Sequence, residues 1–246
     1  MGENMKAIIM AAGVGSRISR NIDKPKCLLE IEGTSIIRKT VEMLLANKIE
    51  VAVVVGYLHS QIENELKEQD VKIYHNPFFR ATNSLGSLWF AKEFIPDDEE
   101  LLLINADVFW EQDILDMLLD EEKEAVLLAD SSSARVRDGD YFFGCKDNKI
   151  VKFGKDLTME LRAHEYVGVC KIKPSFIPAF KAMMNKLIEE EKYNYWWEDI
   201  LYQCSATEDV YVRDVYDHFW AEVDFIEDYE RIMGYVWKRK QDKYYI

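Results

Sequence analysis

The sequence has few prolines, a deficit of positive charge and no long apolar run. Five prolines among 246 residues rule out a proline-rich linker architecture, and a hydrophobic share of 48% excludes disorder over most of the length. No apolar stretch approaches the ~20 residues needed to span a bilayer, so no membrane segment is expected. The first residues run into a short strand pattern, with no signal-peptide apolar region and cleavage site. Cys27, Cys145, Cys170 and Cys204 are scattered and form no C-x-x-C pair. Reduced, mostly buried thiols and a cytoplasmic location are therefore expected. His59, His75, His164 and His218 show no H-E-x-x-H or other metal-ligand spacing. With 31 Lys+Arg against 45 Asp+Glu, a net charge of -14, a nucleic-acid partner is excluded on electrostatic grounds. That balance suits a cationic or zwitterionic ligand, and equally the ordinary acidic surface of many soluble proteins.

Against this deficit one stretch reverses sign. In "KAIIMAAGVGSRISRNIDKPKCLLEI", Lys6 to Ile31, the run from Arg17 to Lys26 carries Arg17, Arg20, Lys24 and Lys26, opposed by Asp23 alone. A local excess of cations in an anionic chain points to an anionic ligand. Gly13 and Gly15, just upstream, would let the backbone approach it closely.

The pattern along the chain alternates. "KAIIMAA", "EVAVVVGY", "VKIYHN", "ELLLINAD" and "EAVLLAD" read as strands, several of them continuous apolar runs of the kind covered on both faces. Helices are predicted after a Thr34-Ser35 cap, through "SQIENELKEQ", through "SLGSLWFAKEF" and through "EQDILDMLLDEE". The second half is less regular, with strands at "YFFGC", "KIVKF", "EYVGVCKI", "VYVRDV" and "FWAEV". Helices are expected at "FKAMMNKLIEE", from Tyr195 through "YWWEDILYQC", and from Phe225 onward. The fold expected is a three-layer, Rossmann-like α/β domain, with a mostly parallel sheet and an antiparallel extension in the second half. It would be a single domain over 1–246, with a nucleotide-binding half at 1–130 and an acceptor-binding half with the terminal helix at 131–246.

Three phosphate-loop patterns compete for "AAGVGSRI". A dinucleotide fingerprint needs a third glycine where Ile18 stands, and the P-loop pattern G-x-x-x-x-G-K-[ST] is absent. The remaining reading is a long basic loop that wraps a triphosphate. "AAGVGSRI" followed by "KPKCLLEI" resembles the signature of the nucleotidyltransferases that activate sugar phosphates and small alcohol phosphates. "INAD" at 104–107 and "WAEVDFIEDY" at 220–229 sit where that family carries its metal-binding acids. The resemblance is strongest to the CTP-dependent branch, the phosphocholine and aminoalkylphosphonate cytidylyltransferases.

The resemblance implies Mg2+ as cofactor, held by Asp107 and Asp224, with Glu222 sharing a strand face with Asp224. Asp107 and Asp224 are also placed to cap the helices that follow them. It implies Arg17 on the leaving phosphates and Lys26 between the α-phosphate of CTP and an acceptor phosphate, as the two catalytic cations. Nucleotide-binding positions would be Ala11, Ala12, Gly13, Gly15, Ser16, Asn83, Ser84 and Gly86, the last allowing close approach of the base. Asn83 or Ser84 is equally a helix N-cap.

A helix starting at Tyr195 would bury Trp197, Ile200, Leu201 and Cys204 and put Tyr195, Glu198, Asp199 and Tyr202 on another face. Aromatic rings and carboxylates on one face suit a cationic head group, as an amphipathic helix with a solvated acidic face would also explain. Glu165 is expected in the same pocket, and Lys152 on the acceptor phosphate or simply solvated. The acceptor expected is a small phosphate or phosphonate with a cationic tail. Phosphocholine leads, followed by 2-aminoethylphosphonate or phosphoethanolamine. A sugar-1-phosphate or polyol-phosphate nucleotidylyltransferase is the runner-up, weakened because "RATNSLGSLWFAKE" replaces the Gln and Gly-Thr of sugar-phosphate members. A nucleotide-sensing relative would be expected to lose Arg17, Lys26 or the acids. A glycosyltransferase would need a paired D-x-D that "INADVF" lacks. Homo-oligomerisation is left open, as is whether the tail "WKRKQDKYYI" packs on the domain or meets a partner.

Overall fold

A computed structural model describes residues 4–15, 24–132, 142–154, 157 and 164–244. Strands β1 (Met5–Ala11), β4 (Glu50–Val55), β5 (Val71–His75) and β6 (Glu100–Asn105) alternate with helices α1 (Ile36–Ala46), α2 (His59–Leu66) and α3 (Ser84–Phe90). The short pair β2 (Glu30–Ile31) and β3 (Thr34–Ser35) precedes α1. Ser35 accepts the Arg38 N–H at 3.2 Å, so the predicted cap starts α1. The apolar runs of β1, β4 and β6 are buried on both faces and pair in parallel, with β1 at the middle of the three.

Next come β7 (Val108–Phe109), α4 (Gln112–Leu119), β8 (Ala125–Asp130), β9 (Phe142–Lys146), β10 (Lys149–Gly154) and β11 (His164–Ile172). The chain finishes with α5 (Ile177–Glu189), α6 (Asp199–Cys204), β12 (Tyr211–Asp214), β13 (Ala221–Glu222) and α7 (Ile226–Tyr244). Among the described residues the large sheet has nine strands in the order β5-β4-β1-β6-β11-β8-β12-β10-β9. β11 is wedged between β6 and β8 and runs antiparallel to both. The antiparallel part therefore begins inside the sheet, one strand before β8, and a segment from the second half forms a wall of the first.

Two cores flank the sheet. Ile8, Ala52, Val54 and Leu103 face α3, α5 and α6, whereas Ala7, Ile9, Val53 and Ile104 face α1, α2 and α4. This is the period-2 alternation of strand side chains read by two helical layers. Each fully buried Leu or Ile contributes roughly 1.5–3 kcal/mol. A smaller third core, including Ile31, Phe109, Val223, Ile232 and Val236, seats α7 over the β7–β13 pair. The terminal helix packs on the domain as far as it is described. The Tyr235 ring stacks on Phe219 at 3.8 Å, and Arg239 bonds Glu111 and Glu32. Among the described residues no helix is long and apolar enough to cross a membrane.

The helix expected from Tyr195 begins at Asp199. Residues 193–197 instead lie against the start of α3: Asn83 N–H donates to Tyr193 O (2.9 Å), Leu85 N–H to Tyr195 O (3.1 Å) and Trp197 N–H to Ser84 Oγ (2.9 Å). These long-range bonds take up backbone groups that a helix would have used. Trp197, Ile200, Leu201 and Cys204 are buried as predicted, but Tyr202 is fully buried with them and does not share an open face.

Candidate active site

β1 and β6 end side by side, and the chain leaving each one builds the site. Beyond β1, residues 12–15 form an open loop, and the 3-10 turn at Lys26–Leu28 brings Lys26 back beneath it. Gly15 adopts φ +63, and a Cβ there would lie 2.8 Å from Lys26 Cε and 2.9 Å from its Cγ. The glycine thus supplies a left-handed turn and the space for the lysine stem. Beyond β6, Asp107 precedes β7, whose Val108 pairs with Glu222 of β13, and Val223 N–H donates to Asp107 O at 3.0 Å. That pairing carries Asp224 to Asp107. Asp107 does not stand at the N-cap of α4. Glu111 stands at the N-cap of α4, and at the start of α7 the buried Asp228 accepts the N–H groups of Asp224 (3.1 Å) and Phe225 (2.8 Å). Asp228 was not singled out in the sequence, although its place three residues after Phe225 fits a reciprocal cap.

Lys26 joins the two acids. Its Nζ lies 3.5 Å from Asp107 Oδ2 and bonds Asp224 Oδ1, which is 198 residues away in sequence. Burial alone would lower the Lys26 pKa, but the two carboxylates outweigh it and raise it. Burial raises the Asp107 pKa against the pull of Lys26, with the Asp224 charge adding to the rise. Glu222 is pushed well above the usual carboxylate range, by burial first and then by Asp107 and Asp224. The corner thus holds more carboxyl groups than one ammonium can keep ionised.

Two adjoining cavities open here, both bordered by Met10 and Gly13. One, of about 80 Å³, lies over Gly15, Lys26 and Asp107 and includes Ala11. The other, of about 220 Å³, is bordered by Ala12, Gly13, Asn83, Ser84, Ser87, Asn105, Trp196 and Glu198. Asn83 caps α3 by accepting the Ser84 N–H at 2.9 Å, so its oxygen is engaged in the structural role while its residue still borders the cavity. Thr82, Asn105 and Trp196 were not singled out in the sequence. Asn105 accepts from Trp197 Nε1 at 2.8 Å, a link between β6 and the 193–198 segment that no local pattern announces. The bulge in β11 between Tyr166 and Cys170 contains Gly168 at φ +89, where a Cβ would meet Val108 at 2.8 Å and Asn105 at 3.1 Å.

Several predicted site residues sit elsewhere. Gly86 is buried within α3, where a Cβ would lie 2.7 Å from the Thr82 side chain; it allows close packing of the chain on itself and lines neither cavity. Asp199 turns back to accept the Trp196 N–H at 2.9 Å, and burial lifts its pKa to about 6. Tyr195 packs against the core beside Lys192, whose ammonium is 5.7 Å from the ring. Lys152 is exposed on β10, toward the far edge of the sheet, and lines neither cavity. Glu165 is half-buried on β11, paired in register with Asp130. Ser16 and Arg17 lie outside the described residues.

A cleft at the carboxyl ends of parallel strands, floored by a glycine loop and closed by an invading lysine and acids from distant segments, defines a nucleotidyltransferase. Residues 7–186 match the MobA-like NTP transferase domain, and the chain belongs to that family. It is 29% identical over 251 residues to the CTP:phosphoglutamine cytidylyltransferase of Campylobacter jejuni, covering 92% of this chain and 98% of that one. It is 27% identical over 237 residues to the CMP-5'-(3-aminopropyl)phosphonate synthase of Streptomyces rubellomurinus, covering 89% of this chain and 37% of that longer protein. Among solved structures, the CTP:phosphocholine cytidylyltransferase from Streptococcus pneumoniae superposes with a TM-score of 0.78 at 21% identity, over 95% of this chain and 99% of that one. The enzyme class and the α/β fold expected from the sequence are those found.

Proposed function

We propose that this enzyme transfers CMP from CTP to a small phosphate or phosphonate that carries a nitrogen at its other end, releasing pyrophosphate. Phosphocholine, 2-aminoethylphosphonate and phosphoethanolamine are members of that acceptor class. The observation that carries the reading is the meeting of Lys26, Asp107 and Asp224 at the mouth of the glycine loop. The names of the relatives supply the choice of cytidine nucleotide and of acceptor class.

An acceptor phosphate is already a nucleophile at neutral pH, so the protein has no proton to remove. Its task is to bring two polyanions together in line and to neutralise them. Lys26 is the group suited to this, because its ammonium reaches the corner between the two cavities. In the free protein that ammonium is held by Asp107 and Asp224; with substrates bound it is positioned to bridge the α-phosphate and the acceptor oxygen. Arg17 is assigned to the leaving β- and γ-phosphates. The base is assigned to the larger cavity, between the backbone of Ala12 and Gly13 and the polar groups of Asn83 and Ser84.

The donor set fits Mg2+. No group of three or more His, Cys, Asp or Glu among the described residues could hold a metal by itself. Two carboxylates sharing one cation is instead the pattern of an ion that takes one or two protein oxygens and completes its shell with water and phosphate. Asp107 and Asp224 would hold it, and when bound it would neutralise charge on the reacting phosphates.

A pyrophosphate-release screen tests the proposal: four NTPs against phosphocholine, phosphoethanolamine, 2-aminoethylphosphonate, glycerol phosphates and hexose 1-phosphates, with and without Mg2+. Release with CTP and a nitrogen-bearing acceptor, dependent on Mg2+, is expected. Release with hexose phosphates alone would overturn the acceptor class.

A further inference from the structure

Glu198 carries one carboxylate oxygen that the described residues leave without a hydrogen bond, although its own backbone N–H bonds the carboxyl group. It borders the larger cavity, and its Oε2 is shielded from solvent and accepts no hydrogen bond among the described residues. Leaving such an acceptor unpaired is costly, the more so when it is charged, and a ligand that supplies the missing donor removes that cost. Burial pushes the Glu198 carboxyl up to about 8, and the charges of Asp199 and Asp107 add to the rise. Glu222 also feels the Glu198 charge. The nearby cation, Lys26, is already shared by Asp107 and Asp224. Two neighbouring donors are committed elsewhere, Trp196 N–H to Asp199 and Trp197 Nε1 to Asn105.

We propose that Glu198 sets acceptor specificity by taking an N–H from the acceptor's head group, so that the enzyme favours acceptors whose nitrogen retains hydrogen over fully alkylated ones. The inference rests on the cytidylyltransferase reading above. A quaternary ammonium brings charge but no donor, and would leave Oε2 buried and unbonded; a primary ammonium brings both. The reach is suitable. The reacting phosphate must lie beside Lys26 and Asp107, in the cavity that adjoins the one Glu198 borders, so the head group of a small acceptor can enter the second cavity. The exocyclic amine of cytosine is the competing donor. It is neutral, so it does not favour the ionised, bond-accepting form of Glu198, whereas a primary ammonium does.

The test is a methylation series: phosphoethanolamine, its N-methyl and N,N-dimethyl derivatives, and phosphocholine, with saturating CTP and Mg2+, on the wild-type enzyme and on Glu198→Gln. The cationic charge persists throughout, each step adds one methyl group, and the last step alone removes the final N–H. The wild type is expected to lose kcat/KM gently over the first two steps and by about tenfold or more at the last. In Glu198→Gln that final drop should shrink to the size of the earlier ones, with KM for CTP unchanged. A smooth decline in the wild type, or a preference for phosphocholine, overturns the inference even if the variant fails to fold. A final drop that survives in Glu198→Gln does so as well, and a raised KM for CTP in that variant would assign Glu198 to the base instead. Turnover of none of the four would remove the underlying reading and the inference with it, a result distinct from turnover in the wrong order.

Discussion

Two corners of the cleft treat their acids in opposite ways. Around Lys26, Asp107 and Asp224 are paired with a lysine whose stem is held under Gly15, and their backbones are tied together through β7 and β13. Glu198, in the same cleft, keeps one carboxylate oxygen shielded from solvent with no donor among the described residues. In the free protein the first corner pairs its acids internally, which suits it to conserving a geometry. The second is incomplete, and is suited to being finished by whichever ligand arrives. Transfer chemistry is therefore attributed to the paired corner and selectivity to the unpaired one.

The largest effect should come from breaking the paired corner. Lys26→Ala should lower kcat by about 10²–10³ while KM for CTP changes less, since a charge aimed at the transition state is removed. Unchanged turnover in a steady-state pyrophosphate assay would take Lys26 out of this role. Asp107→Asn should come next, with activity down about 100-fold at fixed Mg2+ and partly restored as Mg2+ is raised, because one charged ligand is lost. A variant indifferent to Mg2+ would separate Asp107 from the ion. Gly15→Ala places a side chain at φ +63 and against Lys26, a strain of about 1–2 kcal/mol. A fall in kcat of about tenfold with the far-UV circular dichroism preserved is expected.

The smallest effect sharpens the contrast through stability. Because Glu198 holds its proton up to about pH 8 in the folded protein but releases it near the model-peptide value when unfolded, the native state binds the extra proton between those limits. Stability from this group is thus present at low pH and is lost progressively as pH rises toward 8. Glu198→Gln, which cannot ionise, should raise Tm relative to wild type by about 2–4 °C or more at pH 8 and by little at pH 4.5. Equal shifts at both pH values, read by differential scanning fluorimetry, would place that carboxyl in a solvated setting.

How much of this was legible in the sequence depended on whether a signal was local. The apolar runs of β1, β4 and β6 and the Ser35 cap are written within a few residues, and they formed as read. Lys26, Asp107 and Asp224 were reached through a long motif, and they converge in the structure although they come from opposite ends of the chain. The 193–204 segment was misjudged because its backbone bonds go to Asn83, Ser84 and Leu85, over a hundred residues away, which delays the helix to Asp199 and sinks Tyr202 into the core. Gly86 pointed to a ligand in the sequence but packs against Thr82. The wedging of β11 between β6 and β8 likewise depends on tertiary pairing. Lys171 shows the same on a single residue: buried in β11, it bonds Glu100 and the carbonyls of Leu119 and Glu121, a partner set drawn from two separate segments.

The most direct test of the account is phosphorus NMR of the wild-type enzyme with CTP, Mg2+ and 2-aminoethylphosphonate. It predicts one new P–O–P-linked product, with phosphonate and α-phosphate resonances coupled to each other, appearing in step with free pyrophosphate. Pyrophosphate or orthophosphate released without that coupled product would contradict it.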